Sequence, residues 1–153
     1  MAEMGENLKT EKPCSGIEVN SCTDTALLTS LFLELMADEN TDTPATEAQA
    51  KRRMEEYLAH TDKAYTFTVQ GELVGYALVI ADRTPLYLRH FYICRHARRH
   101  GCGTTAFHAL LKTLGTDTID LDVFVWNERG KAFWASLGFT PRATMMRYSG
   151  LKQ

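Results

Sequence analysis

The sequence has no long apolar segment and no signature of an exported protein. Its 153 residues are 44% hydrophobic and 24% charged, but no apolar run reaches the roughly 18 residues of a membrane-spanning helix. The N-terminal segment MAEMGENLKTEKPCSG is polar and acidic, without the basic and apolar regions of a secretory signal. We therefore expect a cytoplasmic protein that does not associate with membranes.

The sequence also lacks repeats, low-complexity tracts and closely spaced cysteines. Cys14, Cys22, Cys94 and Cys102 form no C-x-x-C motif, so we expect four reduced thiols and no metal site. No linker divides the chain. The expected organisation is a flexible tail over residues 1–15, followed by a single domain over residues 16–153.

The chain has little net charge, but its acidic and basic side chains are unevenly distributed along the sequence. The net charge of -2 argues against general nucleic-acid binding. Residues 1–63 carry 13 acidic and 6 basic side chains, whereas residues 64–153 carry 6 acidic and 11 basic ones. This asymmetry suits a cationic ligand near the first part and a polyanionic ligand near the second. The alternative is that these charges only cover solvated faces.

Apolar periodicity predicts alternating blocks of strands and helices. Helices are expected over residues 24–38, 46–60, 104–114 and 129–137. Strands are expected over residues 16–21, 65–69, 73–80, 86–94 and 119–126, with one or two closing strands within residues 139–148. The order β-α-α-β-β-β-α-β-α-β predicts a mixed α/β fold whose sheet has helices on both faces.

The segment 93–104, ICRHARRHGCGT, carries the main functional signal. A predicted strand leads into a basic loop with two glycines, and a helix follows at once. Glycines let backbone N–H groups turn inward, and a helix N-terminus adds unpaired donors. The segment therefore predicts an anion site of pyrophosphate size. An ordinary left-handed turn before a helix is the alternative interpretation.

Gly101, Gly103 and Ala106 also match the dinucleotide fingerprint G-x-G-x-x-A, with Asp120 and Asp122 near the position of the ribose-binding acid. In that fingerprint the first glycine follows the strand almost directly. Here a mostly polar stretch of about seven residues intervenes, and too little chain remains to build a nucleotide-binding sheet. The context disfavours this interpretation.

Two motifs in order resemble the GNAT N-acetyltransferases. Arg98, Gly101 and Gly103 match the family's R/Q-x-x-G-x-G/A motif, and NERGKAFWASLGF over residues 127–139 is similar to its second signature. The resemblance covers nearly everything after residue 16. It implies a mostly antiparallel sheet of six to seven strands, with splayed fourth and fifth strands and about four flanking helices.

The resemblance implies acetyl-CoA as co-substrate, with no metal. Backbone groups of Phe91 and Ile93 would contact the pantetheine arm and polarise the thioester carbonyl. Asn127 would bond the pantetheine chain, and Phe133 and Trp134 would line the cofactor. The pyrophosphate would be held by Arg98, Arg99, His100, Gly101, Cys102, Gly103 and Thr104, with Cys102 as a small core residue.

Catalytic and acceptor residues are expected on the fourth strand and the first two helices. Tyr87 and His90 are the catalytic candidates, although neither is an evident base. Regular alternation predicts Tyr87, Arg89 and Phe91 on one face, with Leu88, His90 and Tyr92 on the other. Trp134 stands where many family members place a proton-donating Tyr. The acceptor would be held by Asp38, Glu39, Tyr57 and Arg89.

These expectations describe an acetyl-CoA-dependent N-acetyltransferase that acts by direct attack of a primary amine on the thioester. The acceptor would be a small-molecule or peptide amine, and the family resemblance is compatible with a homodimer. A non-catalytic acyl-CoA sensor of the same fold is the alternative, favoured by the absence of the usual Tyr. A nucleic-acid binder would use the same basic loop, but the net charge disfavours it.

Overall fold

The computed structural model describes residues 14–150. Residues 1–13 of the predicted tail lie outside the described residues. Within the described part, five strands and four α-helices follow one another in the predicted order. They are β1 (Ile17–Cys22), α1 (Thr25–Glu39), α2 (Glu47–Ala59), β2 (Asp62–Val69), β3 (Glu72–Ile80), β4 (Leu86–Ile93), α3 (Cys102–Leu114), β5 (Ile119–Asp120) and α4 (Glu128–Ser136).

The strands form one mixed sheet in the order β1-β2-β3-β4-β5. The first three neighbouring pairs are antiparallel, and only β4 and β5 are parallel. That last pairing is confined to Leu86 with Ile119 and Tyr87 with Asp120. Since β4 continues to Ile93, the two strands diverge beyond Tyr87, as the fold prediction required. The mixed sheet with flanking helices is confirmed, with five strands instead of six or seven.

The difference in strand number comes from the C-terminal part. The predicted strand over residues 119–126 ends at Asp120, and residues 139–148 form no strand within the described structure. Trp126 explains part of this departure, because its indole Nε1 donates to the backbone oxygens of Glu39 and Asn40, each at 3.2 Å. The segment after β5 therefore follows the C-terminal end of α1 instead of β4. Its strand-forming composition alone does not supply a pairing partner.

One extra residue in β4 breaks the expected alternation. Leu78 and Val79 are adjacent in β3, but their partners in β4 are His90 and Leu88. Arg89 is therefore an extra, unpaired residue and forms a β-bulge. We expected Leu88 and His90 on the same face and Phe91 on the other. This prediction is wrong for Leu88, which joins Phe91 in one core cluster, whereas His90 contacts Phe32 and Tyr76 of the other.

The two core clusters lie on opposite faces of the sheet. Tyr76 and Leu78 of β3 pack with α1 and α2, while the intervening Ala77 and Val79 pack with α3, because successive side chains of a strand point to opposite faces. All four of these β3 side chains are fully buried. The central strands are therefore covered on both sides, which fixes β4 as a rigid base for the site described below.

The expectation of four free thiols is wrong for two cysteines. Cys14 and Cys102 are joined in a disulfide with a Cα–Cα distance of 5.1 Å, and both residues are buried in the same cluster as Phe107. Cys22 and Cys94 are free. The spacing argument missed this pair because 88 residues separate the two cysteines. The link attaches the start of the described chain to the first residue of α3.

Helix α2 begins with a complete capping box, which generates a stability prediction. The Thr46 hydroxyl accepts from the Gln49 N–H at 3.2 Å, and the Gln49 side chain accepts from the Thr46 N–H at 2.9 Å. Thr46→Ala should lower the free energy of unfolding by about 1 kcal/mol, because it removes the acceptor for one unpaired helix N–H. Urea denaturation would measure this. Thr46→Ser, which keeps the hydroxyl, should remain close to the wild type, and equal losses in both variants would contradict the assignment.

Candidate functional site

A cleft of about 350 Å³ opens where β4 and β5 diverge. We call it the central cleft. One wall is formed by β4, the opposite wall by residues 121–123 and α4, and the ends by the loop before α3 and the C-terminal turn of α1. The divergence produces this space because, within residues 14–150, no strand pairs with the β5 side of β4 after Tyr87. Of the predicted site residues, fourteen line it: Asp38, Glu39, Arg89, Phe91, Ile93, Arg98, Arg99, Gly101, Cys102, Gly103, Thr104, Asn127, Phe133 and Trp134.

The loop before α3 presents unpaired backbone donors to the cleft. The first intrahelical bond of α3 runs from the Thr105 N–H to the Gly101 oxygen at 3.2 Å. The N–H groups of Cys102, Gly103 and Thr104 have no acceptor among residues 14–150, as expected for a helix N-terminus. Gly101 caps the helix with a positive φ of 75°, a conformation that favours glycine. Three aligned donors at the positive end of the helix dipole form an anion site.

The basic side chains of this loop have different partners. Arg98 donates from Nε to the Ile93 oxygen at 2.8 Å and from Nη1 to the Asp38 carboxylate at 3.0 Å. Arg99 is exposed and makes no hydrogen bond or ion pair within residues 14–150. Arg99 is therefore free to meet an incoming anion, whereas Arg98 already holds the loop against β4 and α1. His100, also predicted here, is exposed but does not line the cleft.

The second motif forms the start of α4. Asn127 is the N-cap, and its Oδ1 accepts from the Gly130 N–H at 2.9 Å. A Cβ on Gly130 would approach the Asn127 Nδ2 to 2.5 Å, so the glycine makes room for the cap. Gly103 likewise faces the Phe133 ring, which an added Cβ would meet at 3.0 Å. The two motifs therefore meet in space at the contact between α3 and α4.

An aromatic cluster covers the end of the cleft next to this contact. Phe91 stacks on Phe133 with ring centroids 6.2 Å apart and meets the edge of Trp134 at 5.3 Å. Trp134 also packs edge-on against Phe107 and Phe139. The indole is thus part of an apolar wall. An uncharged chain lying between β4 and α4 would be in contact with these rings.

Asp38 joins three separate segments at the opposite end. Its carboxylate lies 3.0 Å from Arg98 Nη1, 2.9 Å from Arg129 Nη2 and 3.7 Å from Arg95 Nη2. Burial opposes ionisation of this carboxyl, but the hydrogen bond and charge of Arg98, followed by Arg129, lower its pKa below the usual value. Asp38 is consequently an ionised structural carboxylate that links α1, the loop before α3 and the start of α4.

Glu39, the next residue, has the opposite surroundings. Its carboxylate lines the cleft and has no hydrogen-bond or ion-pair partner among residues 14–150. Burial, followed by the negative charge of Asp38, raises the pKa of Glu39 to about 7. Its backbone is held in place by the Trp126 indole. The two adjacent acids predicted as one acceptor site therefore behave differently.

The structure does not bring Tyr87, His90 or Tyr57 to the wall of the central cleft. Burial and a hydrogen bond to Asp122 raise the pKa of Tyr87 above its usual value. His90 is buried, stacks on Phe32 at 4.4 Å and shares a 3.0 Å hydrogen bond between its Nδ1 and the Tyr76 hydroxyl. Burial, followed by the Arg89 charge, lowers the pKa of His90 to about 3, so its imidazole is neutral at ordinary pH.

Arg89 lies between these two regions. Its Nε donates to Asp62 at 2.7 Å, and its guanidinium lies 4.3 Å from the Tyr57 ring centroid. The bulge directs this side chain toward α2 while leaving about one third of it exposed at the cleft. Tyr57 therefore makes a cation–π contact with Arg89 and does not itself line the cleft.

Sequence reasoning missed several residues that line the cleft. Asp122 and Val123 were assigned to a regular strand, and their place at the cleft depends on the early end of β5. Arg129 directly follows the Asn127-Glu128 pair of the second motif, so a positive charge beside the anion loop was a usable signal. The other missed residues are Leu35, Leu88, Tyr92, Leu121 and Gly130.

Residues 14–150 contain no cluster of three or more His, Cys, Asp or Glu side chains arranged to bind a metal ion. Nor does any helix in that range have both the length and the apolar character to cross a membrane.

Comparisons with known proteins bear on this site. The family model "Acetyltransferase (GNAT) family" matches residues 29–139, which contain both motifs. No curated protein sequence matches the chain. Solved structures match the chain at low sequence identity, so their similarity to it concerns the fold.

Three solved structures illustrate that similarity. A possible acetyltransferase from Clostridium difficile 630 matches with a TM-score of 0.71 and 16% identity, over 89% of this chain and 99% of its own. The aminoglycoside N-acetyltransferase AAC(6')-Iy in complex with CoA matches with a TM-score of 0.65 and 15% identity, over 87% and 93%. A ribosomal-protein-alanine N-acetyltransferase from Brucella melitensis biovar Abortus 2308 matches with a TM-score of 0.64 and 14% identity, over 87% and 99%.

The buried bond between Tyr76 and His90 generates a prediction. Tyr76→Phe should lower the free energy of unfolding by about 1–3 kcal/mol, because the His90 Nδ1 loses its partner in a buried environment. Denaturant titration at neutral pH would measure the change. Tyr65→Phe is the matched control, since that hydroxyl makes no hydrogen bond within residues 14–150. Equal effects of the two substitutions would show that the bond to His90 does not stabilise the fold.

Proposed function

Since the chain belongs to the GNAT acetyltransferase family, we propose that it transfers an acetyl group from acetyl-CoA to a primary amine. The supporting observation is the position of the three unpaired N–H groups of Cys102, Gly103 and Thr104, which face the same cleft that opens between β4 and β5. A diphosphate held there is at one end of the cleft. The remainder of the donor can then extend along β4 toward the C-terminal turn of α1.

The unpaired side of β4 suits the pantetheine arm. After Tyr87 no strand of the described part of the chain pairs with that side, so an extended amide-containing chain can run beside residues 88–93 in the manner of a strand. Phe91, Phe133 and Trp134 would contact its methylene groups. Backbone N–H groups near Phe91 and Ile93 would polarise the thioester carbonyl, which gains negative charge when the amine attacks.

The leaving thiolate does not require an acid at the position of Trp134. The indole is a poor proton donor to sulfur and packs edge-on against Phe91, Phe107 and Phe139. A thiol has a pKa near about 8.5, so the thiolate is a tolerable leaving group and can take its proton from water. Trp134 therefore acts in this proposal as a wall of the donor site.

The acceptor approaches from the side of Glu39 and Arg89. We propose a small-molecule or peptide amine that is protonated in solution. Solved relatives of the same fold carry names for both types, an aminoglycoside N-acetyltransferase and a ribosomal-protein-alanine N-acetyltransferase. Asp38 is engaged by its arginines, so its predicted contact with the acceptor passes to Glu39.

We propose the cytoplasm as the location, since acyl-CoA thioesters are metabolites of that compartment. The disulfide between Cys14 and Cys102 weighs against this location, because cytosolic thiols are kept reduced.

The direct test incubates the purified protein with acetyl-CoA and a panel of primary amines, with release of free CoA thiol as the readout. Amine-dependent release supports the enzyme. Calorimetry with acetyl-CoA should detect binding in the same preparation. Binding without release on any amine would favour an acyl-CoA sensor, and absence of binding would contradict both functions.

Thr104→Pro tests the anion site without removing an intrahelical hydrogen bond. Thr104 is the third residue of α3, where proline is tolerated and the N–H has no helical acceptor. Loss of one charge-assisted bond of about 1.5–3 kcal/mol should weaken acetyl-CoA binding about 10- to 100-fold. Isothermal titration calorimetry would give the Kd.

Thr104→Ala is the matched control, because it removes the side chain but keeps the backbone N–H. Its Kd should change far less than that of Thr104→Pro. An unchanged Kd in the proline variant, with a circular dichroism spectrum like the wild type, would contradict the proposed diphosphate position.

A further inference from the structure

Three carboxylates line the central cleft, and two of them are already engaged. Asp38 contacts Arg98, Arg129 and Arg95. Asp122 faces the Tyr87 hydroxyl, and burial followed by Asp122 raises the pKa of that tyrosine. The Glu39 carboxylate has neither a hydrogen bond nor an ion pair within residues 14–150. It is thus the one cleft carboxylate of the described chain that is available to a ligand.

The position of Glu39 is fixed despite its uncommitted side chain. The Trp126 indole donates to the backbone oxygens of Glu39 and Asn40 at the C-terminal end of α1. One residue earlier, Asp38 ties the same turn to Arg98 and Arg129. Both flanks of Glu39 are therefore held to other segments, which leaves only its own side-chain torsions to vary.

Other candidates for proton transfer are excluded by position. Tyr87 and His90 do not reach the wall of the cleft. The His90 Nδ1 is engaged by the Tyr76 hydroxyl, and the ring is buried against Phe32. His90 therefore cannot meet an amine in the cleft without a rearrangement of the core, and the hydroxyl of Tyr87 faces Asp122 instead of the acceptor side.

Resting on the proposed acetyl transfer, we propose that Glu39 is the catalytic base that takes the proton from the acceptor, an amine that arrives as a cationic ammonium group. The Glu39 carboxylate first attracts the ammonium and then accepts one proton from nitrogen. The neutral amine attacks the thioester carbonyl carbon. The C–N bond forms, the C–S bond breaks, and sulfur leaves with the bonding electron pair.

The protons of this reaction balance. The ammonium nitrogen starts with three hydrogens. One passes to Glu39 and then to solvent. A second is lost as the amide forms and protonates the CoA thiolate, and the third remains on the amide. No oxidant, reductant or metal is needed. Water in the open cleft can carry protons between Glu39, the thiolate and the solvent.

The protonation behaviour of Glu39 agrees with this role. A base functions best when its pKa is close to the working pH, and burial together with the Asp38 charge raises the pKa of Glu39 to about 7. Two neighbouring carboxyls with pKa values moved in opposite directions are a recurrent arrangement in acid–base catalysis. The other titratable or charged groups that line the cleft are Asp38, Arg89, Tyr92, Arg98, Arg99, Asp122 and Arg129. Beneath it, burial followed by the charge of Glu39 raises the pKa of Tyr76.

The test compares wild type and Glu39→Gln across pH 5.5–9 with an amine found by the thiol-release assay. In the wild type kcat/KM should rise with pH through a group of pKa about 7. In Glu39→Gln it should fall by about 100-fold or more and lose this step. Glu55→Gln, which alters an exposed acid on α2, should keep the wild-type rate and profile.

Two further measurements separate a catalytic role from a structural one. The Kd of acetyl-CoA should be unchanged in Glu39→Gln, because the residue lies at the acceptor end of the cleft. Asp38→Asn should move the step in the pH profile to lower pH, since the charge that raises the pKa of Glu39 is removed. An unaltered pH profile in Glu39→Gln would overturn the assignment.

Stability provides a readout that needs no turnover. The pKa of Glu39 is raised in the folded state to about 7 from its usual 4.5, so stability falls as pH rises from 4.5 to 7. Glu39→Gln should lack this loss and become more stable than the wild type above pH 7. If the stability of the two proteins depended on pH in the same way, Glu39 could not be an unpaired carboxyl with a raised pKa. A wild type that binds acetyl-CoA but acetylates no amine would overturn the proposed function and the base with it.

Discussion

The cleft depends above all on the partly buried carboxylate of Asp38. Its oxygens form ion pairs with the guanidinium groups of Arg98 at 3.0 Å and Arg129 at 2.9 Å, and a longer one with that of Arg95 at 3.7 Å. These residues come from α1, the loop before α3 and the start of α4, three segments that are distant in the sequence. An ion pair that is removed from water on one side is costly to break. Asp38 therefore sets the distance between the anion site and the acceptor side, although it contacts neither substrate in our proposal.

The sheet supplies the complementary constraint. Because β4 and β5 pair over two residues only, the backbone of β4 is available to a ligand along most of its length. The same divergence brings residues 121–126 against the end of α1, where Trp126 contacts Glu39 and Asn40. The early divergence of β4 and β5 thus opens the central cleft and also brings Trp126 to the turn that carries Glu39, the proposed base. The aromatic contacts of Phe91, Phe133 and Trp134 keep the far wall apolar.

Local chemistry determined most of what the sequence could predict. The four helices, the strands β2 and β3 and the glycine loop before α3 depend on neighbouring residues, and each lies close to its predicted place. The bulge at Arg89 and the early end of β5 depend on contacts between distant segments, which periodicity does not contain. The Cys14–Cys102 pair was missed for the same reason. The different environments of Asp38 and Glu39 could not be predicted, because three arginines distant in sequence meet only one of the two acids.

The bulge at Arg89 adds a residue to β4 without changing which face its apolar side chains cover. Before it, Leu86 and Leu88 face the cluster around α3; after it, Phe91 and Ile93 do. Deleting Arg89 would restore a regular ladder and would keep the same apolar side chains on the face of α3. It would, however, remove the guanidinium group that contacts Tyr57 and Asp62. The extra residue therefore serves to place one positive charge between α2 and the central cleft, and the packing of the strand does not require it.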